Sequence, residues 1–296
     1  VKITGDREAA RRPAVREPWG DPVSAVPRPT PPDGRPAARV PAPGRGPRRP
    51  AGPLRRRRRR LRLLAARLYT SVLMSNPPRS WAAPMADGRY GPADGAPLTL
   101  LMLGDSLARS VGAGTREETL GALLAQGLAD RGGRPVNLRV LARAGATTRT
   151  LHQQVARAGT LRPGLAVIIV GSNDTMLPAP VGRAARRFAR VLDGLGAAGW
   201  EIVVVPCADP GGAPGFRSPV RAVASRRARR LARLQTRAAV RAGALIGPSA
   251  VDEFRDRAAE LFGPDGVHPS PRGYAEYARK MLPTLLSVPV HAGVGR

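Results

Sequence analysis

Ser106, Asn173, Asp265 and His268 are the residues with which this chain could do chemistry. Ser106 stands in Gly104-Asp105-Ser106-Leu107, directly after the apolar run Leu98-Thr99-Leu100-Leu101-Met102-Leu103. A serine hydroxyl attacks an acyl carbon only when a base removes its proton and fixed donors hold the negative charge that develops. The base must come from 3 histidines. His291 lies in the C-terminal tail, and His152 sits early in a helical pattern beside Leu151, a structural position. His268 stands in Asp265-Gly266-Val267-His268-Pro269-Ser270-Pro271. Here a carboxylate precedes an imidazole by three residues, in a turn loosened by Gly266, and can bond one ring nitrogen. That bond fixes the tautomer and leaves the other nitrogen facing outward as a base. Standing alone, the pair also reads as two neighbours on a surface loop.

Three donors qualify to hold a developing oxyanion: the backbone N–H of Ser106, the backbone N–H of Gly145, and the side-chain amide of Asn173. Taken singly, Gly145 is a turn residue and Asn173 a helix cap. Their order along the chain is what joins them to Ser106 and His268.

The elements that must position these groups follow from hydrophobic periodicity. Residues 98–103 read as a buried strand stopped by Gly104. Thr115-Arg116-Glu117-Glu118 has the pattern of a capping box. The helix it predicts carries Leu120, Leu123, Leu124 and Leu128 on one face and ends at Gly132-Gly133. Residues 136–141 form the second predicted strand, followed by the loop with Gly145 and a helix carrying Leu151 and Val155. Residues 165–170 form the third and run straight into Gly171-Ser172-Asn173-Asp174. A helix with Phe188, Val191, Leu192 and Leu195 comes next, closed by Gly199, and residues 201–205 are the fourth strand. A Gly- and Pro-rich loop at 209–219 precedes a long helix to about residue 242, with Val220, Val223, Leu231 and Leu234 as its packing positions. Residues 244–247 read as a short fifth strand, and Ser270-Pro271 as the cap and first residue of the last helix. The alternation predicts an α/β fold, a parallel sheet with helices on both faces. Ser106, Gly145 and Asn173 each follow a successive strand, at the carboxyl ends where such sheets bind ligands. Asp105, beside the serine, and Phe216, in the 209–219 loop, are the expected pocket residues.

With its four blocks in this order, the sequence resembles the GDSL or SGNH hydrolases. The blocks are Gly104-Asp105-Ser106-Leu107, the Gly145 loop, Gly171-Ser172-Asn173-Asp174, and Asp265-Gly266-Val267-His268-Pro269. The resemblance covers residues 98 to about 285. It implies a flavodoxin-like three-layer α/β/α sandwich with about five parallel strands, and ester hydrolysis without a metal. It further implies Ser106 as nucleophile, His268 as general base and then acid, and Asp265 as the residue orienting His268. Ser106, Gly145 and Asn173 would form the oxyanion hole. The Gly-x-Ser-x-Gly elbow of α/β-hydrolases is absent. The same family chemistry serves short acyl esters, acetylated sugars, lysophospholipids and thioesters, and an acyltransferase would use the same site.

Composition bounds the remainder. The chain has 296 residues, with 49 Lys+Arg against 21 Asp+Glu, a net charge of +28. Residues 1–97 hold 21 basic and 7 acidic residues and the rest 28 and 14, so the first part packs an equal excess into half the length. Residues 1–54, Pro-, Arg-, Gly- and Ala-rich, are expected to be disordered, because they have little apolar surface to bury. Arg55 to Arg60 precede a predicted basic amphipathic helix with Leu61, Leu64, Leu68 and Val72 on one side. A segment at 55–74 of this kind suits peripheral contact with an anionic membrane. Residues 75–97 are expected to be a linker, 98–287 the hydrolase domain and 288–296 a tail. There is no signal-peptide pattern and no apolar run long enough for a spanning helix, so the expectation is a cytoplasmic or membrane-peripheral protein. Arg226, Arg230, Arg233, Arg237 and Arg241 form one stripe on the long helix. Nucleic-acid binding is the competing reading of that charge, but no helix-turn-helix, zinc finger or aromatic RNA platform accompanies it. One cysteine, Cys207, excludes an intrachain disulfide framework and a Cys-rich zinc site, and no cofactor is expected.

Overall fold

The computed structural model describes residues 74–75, 80–218, 220–249 and 251–289. The strands are β1 (Gly88–Tyr90), β2 (Leu98–Gly104), β3 (Val136–Val140), β4 (Leu165–Ile169), β5 (Glu201–Val205) and β6 (Leu245–Ile246). They form one sheet in the order β1-β3-β2-β4-β5-β6. All pairings are parallel except that of β1 with β3. Leaving out β1, the order is second, first, third, fourth, fifth, which is the doubly wound flavodoxin-like arrangement. Its switch point lies between β2 and β4, whose connections leave on opposite sides and open a crevice at their carboxyl ends. Ser106 follows one of these strands and Asn173 the other.

The helices are α1 (Ser106–Arg109), α2 (Leu120–Gly132), α3 (Thr148–Ala158), α4 (Ser172–Met176), α5 (Val181–Ala197), α6 (Val220–Arg241), α7 (Val251–Asp256), α8 (Ala258–Leu261) and α9 (Pro271–Leu286). Successive strand side chains point to opposite faces, and both faces of the central strands are covered, so these strands read as continuous apolar runs. Leu100, Met102, Val167, Val203 and Val205 pack with α2 and α9 on one face. Leu101, Leu103, Ile168, Ile202 and Val204 pack with α3, α5 and α6 on the other.

Three sequence expectations change. The five parallel strands are present, but a sixth, antiparallel one joins them, because Gly88–Tyr90 lies within the stretch expected to be a linker. That stretch is tied down: Ala86 is buried, Tyr90 donates its hydroxyl to Ala86 O (2.6 Å), and Asp87 Oδ1 accepts from Val140 N (2.9 Å). A three-residue strand carries no periodic signal, so nothing in Gly-Arg-Tyr announced it. α2 begins at Leu120 with Thr119 as its cap, not at Thr115. Glu118 still bonds backward, to Gly114 N (2.7 Å) and Thr115 N (3.0 Å), but it closes a turn ahead of the helix. On α6, Val223 is exposed, and the buried face is Ala224, Ala228, Leu231, Gln235, Ala238 and Ala239. Small residues there let the helix lie close to the sheet. Residues 1–73, with the expected disordered region, arginine run and most of the basic helix, lie outside the described residues, as does the tail from 290. Among the described residues no helix is long and apolar enough to cross a membrane.

Candidate active site

β2 ends where the chain must bend sharply against β4. Gly104 has φ +134°, and a Cβ there would sit 1.8 Å from Ile169 O, so only glycine allows the close approach. Both polar groups of the Gly104 peptide unit are held by one side chain. Gln154, buried on α3, accepts from Gly104 N and donates to Gly104 O, each at 2.8 Å. Asp105 then caps α1, its carboxylate accepting from Leu107 N (3.1 Å), and Ser106 is the first residue of that helix.

His268 Nε2 lies 2.9 Å from Ser106 Oγ, and His268 Nδ1 lies 2.6 Å from Asp265 Oδ2. A carboxylate only accepts, so Nδ1 carries the proton, and Nε2 of the neutral ring accepts from the serine hydroxyl. Asp265 is fixed in turn, because its Oδ1 accepts from the backbone N–H groups of Val267 and His268, both at 2.9 Å. Burial works against ionisation of Asp265. The His268 ring outweighs it by hydrogen bond and charge, with help from those two N–H groups, and the carboxyl lies below the usual range.

Asn173 Nδ2 donates to Ala146 O (2.9 Å), which sets the Asn173 loop against the Gly145 loop. That second loop is anchored to the Ser106 turn, since Arg143 N donates to Gly104 O (3.1 Å). A third tie is Asp174, buried, which accepts from Thr148 N (2.9 Å) and Thr148 Oγ1 (2.8 Å). Among the described residues the N–H groups of Ser106 and Gly145 donate to no protein acceptor. The chain after three neighbouring strands thus brings the hydroxyl and three donors to one end of the sheet, and the turn before α9 adds the imidazole.

Asp105 is a further carboxyl here whose charge burial disfavours. Desolvation pushes its carboxyl up to about 6, against the lowering effect of the Leu107 and Gly171 N–H groups and the His268 charge. The folded protein therefore binds more protons than the unfolded chain between the ordinary carboxyl value of 3.8 and about 6, and stability from this group falls as pH rises through that window. Asp105→Asn retains an acceptor for Leu107 N–H and cannot ionise. Its unfolding free energy in denaturant is expected to gain on the wild type by about 3 kcal/mol between pH 4 and pH 7. Parallel pH–stability curves for the two proteins would refute this.

A cavity of about 130 Å³ opens beside Ser106 and His268, with Phe216, Phe254, Phe262 and Ala213 among its walls. Both expected pocket residues, Asp105 and Phe216, border it. Phe254 and Phe262 stack edge-on at 5.2 Å and come from the segment between β6 and α9, where no periodicity marked them. His152 is exposed and bonded to its own turn through Arg149 O (2.7 Å), away from the other site residues. Cys207 is buried and its thiol pushed well up by desolvation, so it is held as a neutral core residue. Among the described residues no group of three or more His, Cys, Asp or Glu could hold a metal ion. Sequence reasoning missed Gln154, the Asp174–Thr148 pair and Trp81, whose ring lies 5.3 Å from that of His268 at an interplanar angle of 89°.

The family model of GDSL-like lipases and acylhydrolases matches residues 102–276, a stretch that holds all four blocks. The chain belongs to the GDSL-like lipase/acylhydrolase family. This esterase is 33% identical over 237 residues to the GDSL-like esterase Rv1075c of Mycobacterium tuberculosis, a match covering 72% of this chain and 76% of the relative. Among solved structures, it resembles the psychrotrophic esterase EstA from Pseudoalteromonas sp. at TM-score 0.51 and 19% identity, covering 64% of this chain and 99% of that one. The acetylxylan esterase Axe2 from Geobacillus stearothermophilus gives TM-score 0.52 at 19% identity, covering 64% of this chain and 94% of that one. At such identities the two structures speak for the fold of this esterase alone.

Proposed function

We propose that the chain is a metal-independent serine hydrolase that cleaves carboxylic esters bearing a short acyl group, through an acyl-enzyme on Ser106. The observation that carries the reading is the buried relay Asp265–His268–Ser106, at 2.6 and 2.9 Å, with its nucleophile facing the cavity. His268 Nε2 takes the Ser106 proton as Oγ attacks the ester carbonyl. Asp265 holds Nδ1–H and stabilises the imidazolium that forms. The N–H groups of Ser106 and Gly145 and the free amide N–H of Asn173 receive the oxyanion. On collapse the alkoxide leaves with the proton from Nε2. Water then attacks the acyl-enzyme, giving up its proton to Nε2, and the acid departs from a regenerated Ser106 hydroxyl.

The cavity supports a short acyl group. At about 130 Å³ it has room for a few carbons rather than for a fatty chain, and its aromatic walls offer such a group little but dispersion and burial. The full chain, assayed on p-nitrophenyl esters of graded length with Ser106→Ala as control, is expected to favour acetate to butyrate over decanoate at least tenfold in kcat/KM. EDTA is expected to leave that activity unchanged, because the base and the charge-stabilising donors are all protein groups. A preference for long chains would overturn the substrate class. Loss on chelation with recovery on added zinc would overturn the mechanism.

A further inference from the structure

The part of this chain that reaches the imidazole from outside the residues matched by the family model, 102–276, is an indole on the N-terminal side. Trp81 packs perpendicular to His268 with ring centroids 5.3 Å apart. Core packing does not account for it. Trp81 is 40% exposed and belongs to none of the three hydrophobic clusters, whereas Trp200 is 6% exposed and sits in one.

The backbone that carries Trp81 is held from two directions, both of them parts of the site. Arg109 is the last residue of α1, the helix that Ser106 begins. Its guanidinium donates to Pro84 O (3.1 Å) and Ala83 O (3.0 Å), just beyond the tryptophan. On the other side of Trp81, Met74 is buried and forms an antiparallel bridge with Phe216, a cavity wall. Ser75 N donates to Gly215 O (2.8 Å), and Arg217 Nε donates to Met74 O (3.1 Å). The chain on each side of Trp81 is thus attached to a loop or helix that also carries an active-site residue.

His268 has one firm partner and one that must let go. Asp265 clamps Nδ1 throughout, but the Ser106 bond to Nε2 is lost when Oγ attacks, and the ring then carries a positive charge. At that moment a neighbouring aromatic ring can do two things: keep the imidazolium from swinging out of line, and keep water off one side of it. We propose that Trp81 is a positioning residue for His268, making the segment N-terminal to the family domain a working part of the esterase site. This rests on the Ser106–His268 reading above.

The test uses the full chain and four proteins: wild type, Trp81→Ala, Trp81→Phe and Arg109→Ala. The readouts are kcat and KM on a short p-nitrophenyl ester, the rate at which an alkylphosphonate ester labels Ser106, and the rate of His268 modification by diethyl pyrocarbonate. Trp81→Ala is expected to lower kcat and the phosphonylation rate roughly tenfold, the upper end for one edge-to-face aromatic pair, with KM within about twofold. His268 should be modified several-fold faster. Trp81→Phe, which keeps an aromatic face, should recover most of the rate, and Arg109→Ala, which keeps the indole but frees its backbone, should fall between. Wild-type rates and modification in Trp81→Ala would overturn the proposal, as would a Trp81→Phe protein no better than Trp81→Ala. If Ser106→Ala kept its activity, the underlying triad would fail instead, and the two failures are distinguishable.

Discussion

Ser106→Ala and His268→Ala are each expected to lower kcat on a short ester by roughly 10⁶-fold, and the double variant to be little worse than either. The reason is that Oγ and Nε2, 2.9 Å apart, act as one device. Without the imidazole the hydroxyl keeps its proton, and without the hydroxyl the imidazole has no attacking atom to activate. What survives is the effect of binding and of the oxyanion donors, about 10³- to 10⁴-fold over water in comparable hydrolases. Ser106→Ala should bind substrate and unfold much as the wild type does, whereas His268→Ala, which leaves the buried Asp265 carboxylate without its ring partner, should also unfold more easily. Kinetics on a p-nitrophenyl ester, with active-site titration to exclude trace wild type, checks this. Losses that multiply in the double variant would mean that the two residues act independently and that another base serves Ser106.

The parts of this fold that could be read from the sequence are those in which one local pattern decides the structure. β2, β4 and β5 are apolar on both faces, and residues at the ends of such runs must lie at the carboxyl edge of a parallel sheet. Ser106 and Asn173 could therefore be placed, and the turn 265–268 could be recognised, because the Asp–His spacing closes on itself within four residues. Gly88–Tyr90 could not, since its structure comes from pairing with Val136, Asn137 and Leu138 across the chain. The same holds for Trp81 and Gln154. Gln154 lies on the apolar face of a helix with the look of an ordinary surface glutamine, and its role appears only when Gly104 is brought against it. The long helix α6 shows the opposite error. Val223 reads as a packing position by its type, but the helix is rotated so that alanines face the sheet, and Val223 points to water along with the arginine stripe.

The arrangement of the donors sets the second large effect. Asn173→Ala is expected to lower kcat by roughly 10²- to 10³-fold with little change in KM. The geometry fixes which way the amide faces: Ala146 O can only accept, so the group 2.9 Å from it is Nδ2. One of the two N–H bonds is thereby used to align the side chain with the Gly145 loop, and the other is left for the oxyanion. An alanine removes that donor yet leaves the N–H groups of Ser106 and Gly145, which is why the loss stops short of that in Ser106→Ala. The loop itself should stay in place, because Asp174 remains bonded to Thr148 and Arg227 Nε still donates to Thr175 O (2.8 Å). Asn173→Asp separates a lost donor from a misplaced charge. Its carboxylate would oppose both Ala146 O and the negative charge developing on the substrate, so its kcat should fall below that of Asn173→Ala. Single-turnover acylation rates of the three proteins, measured beside their unfolding midpoints, decide the matter. An Asn173→Ala enzyme within about threefold of wild type would leave the oxyanion to the two backbone donors and remove Asn173 from the site.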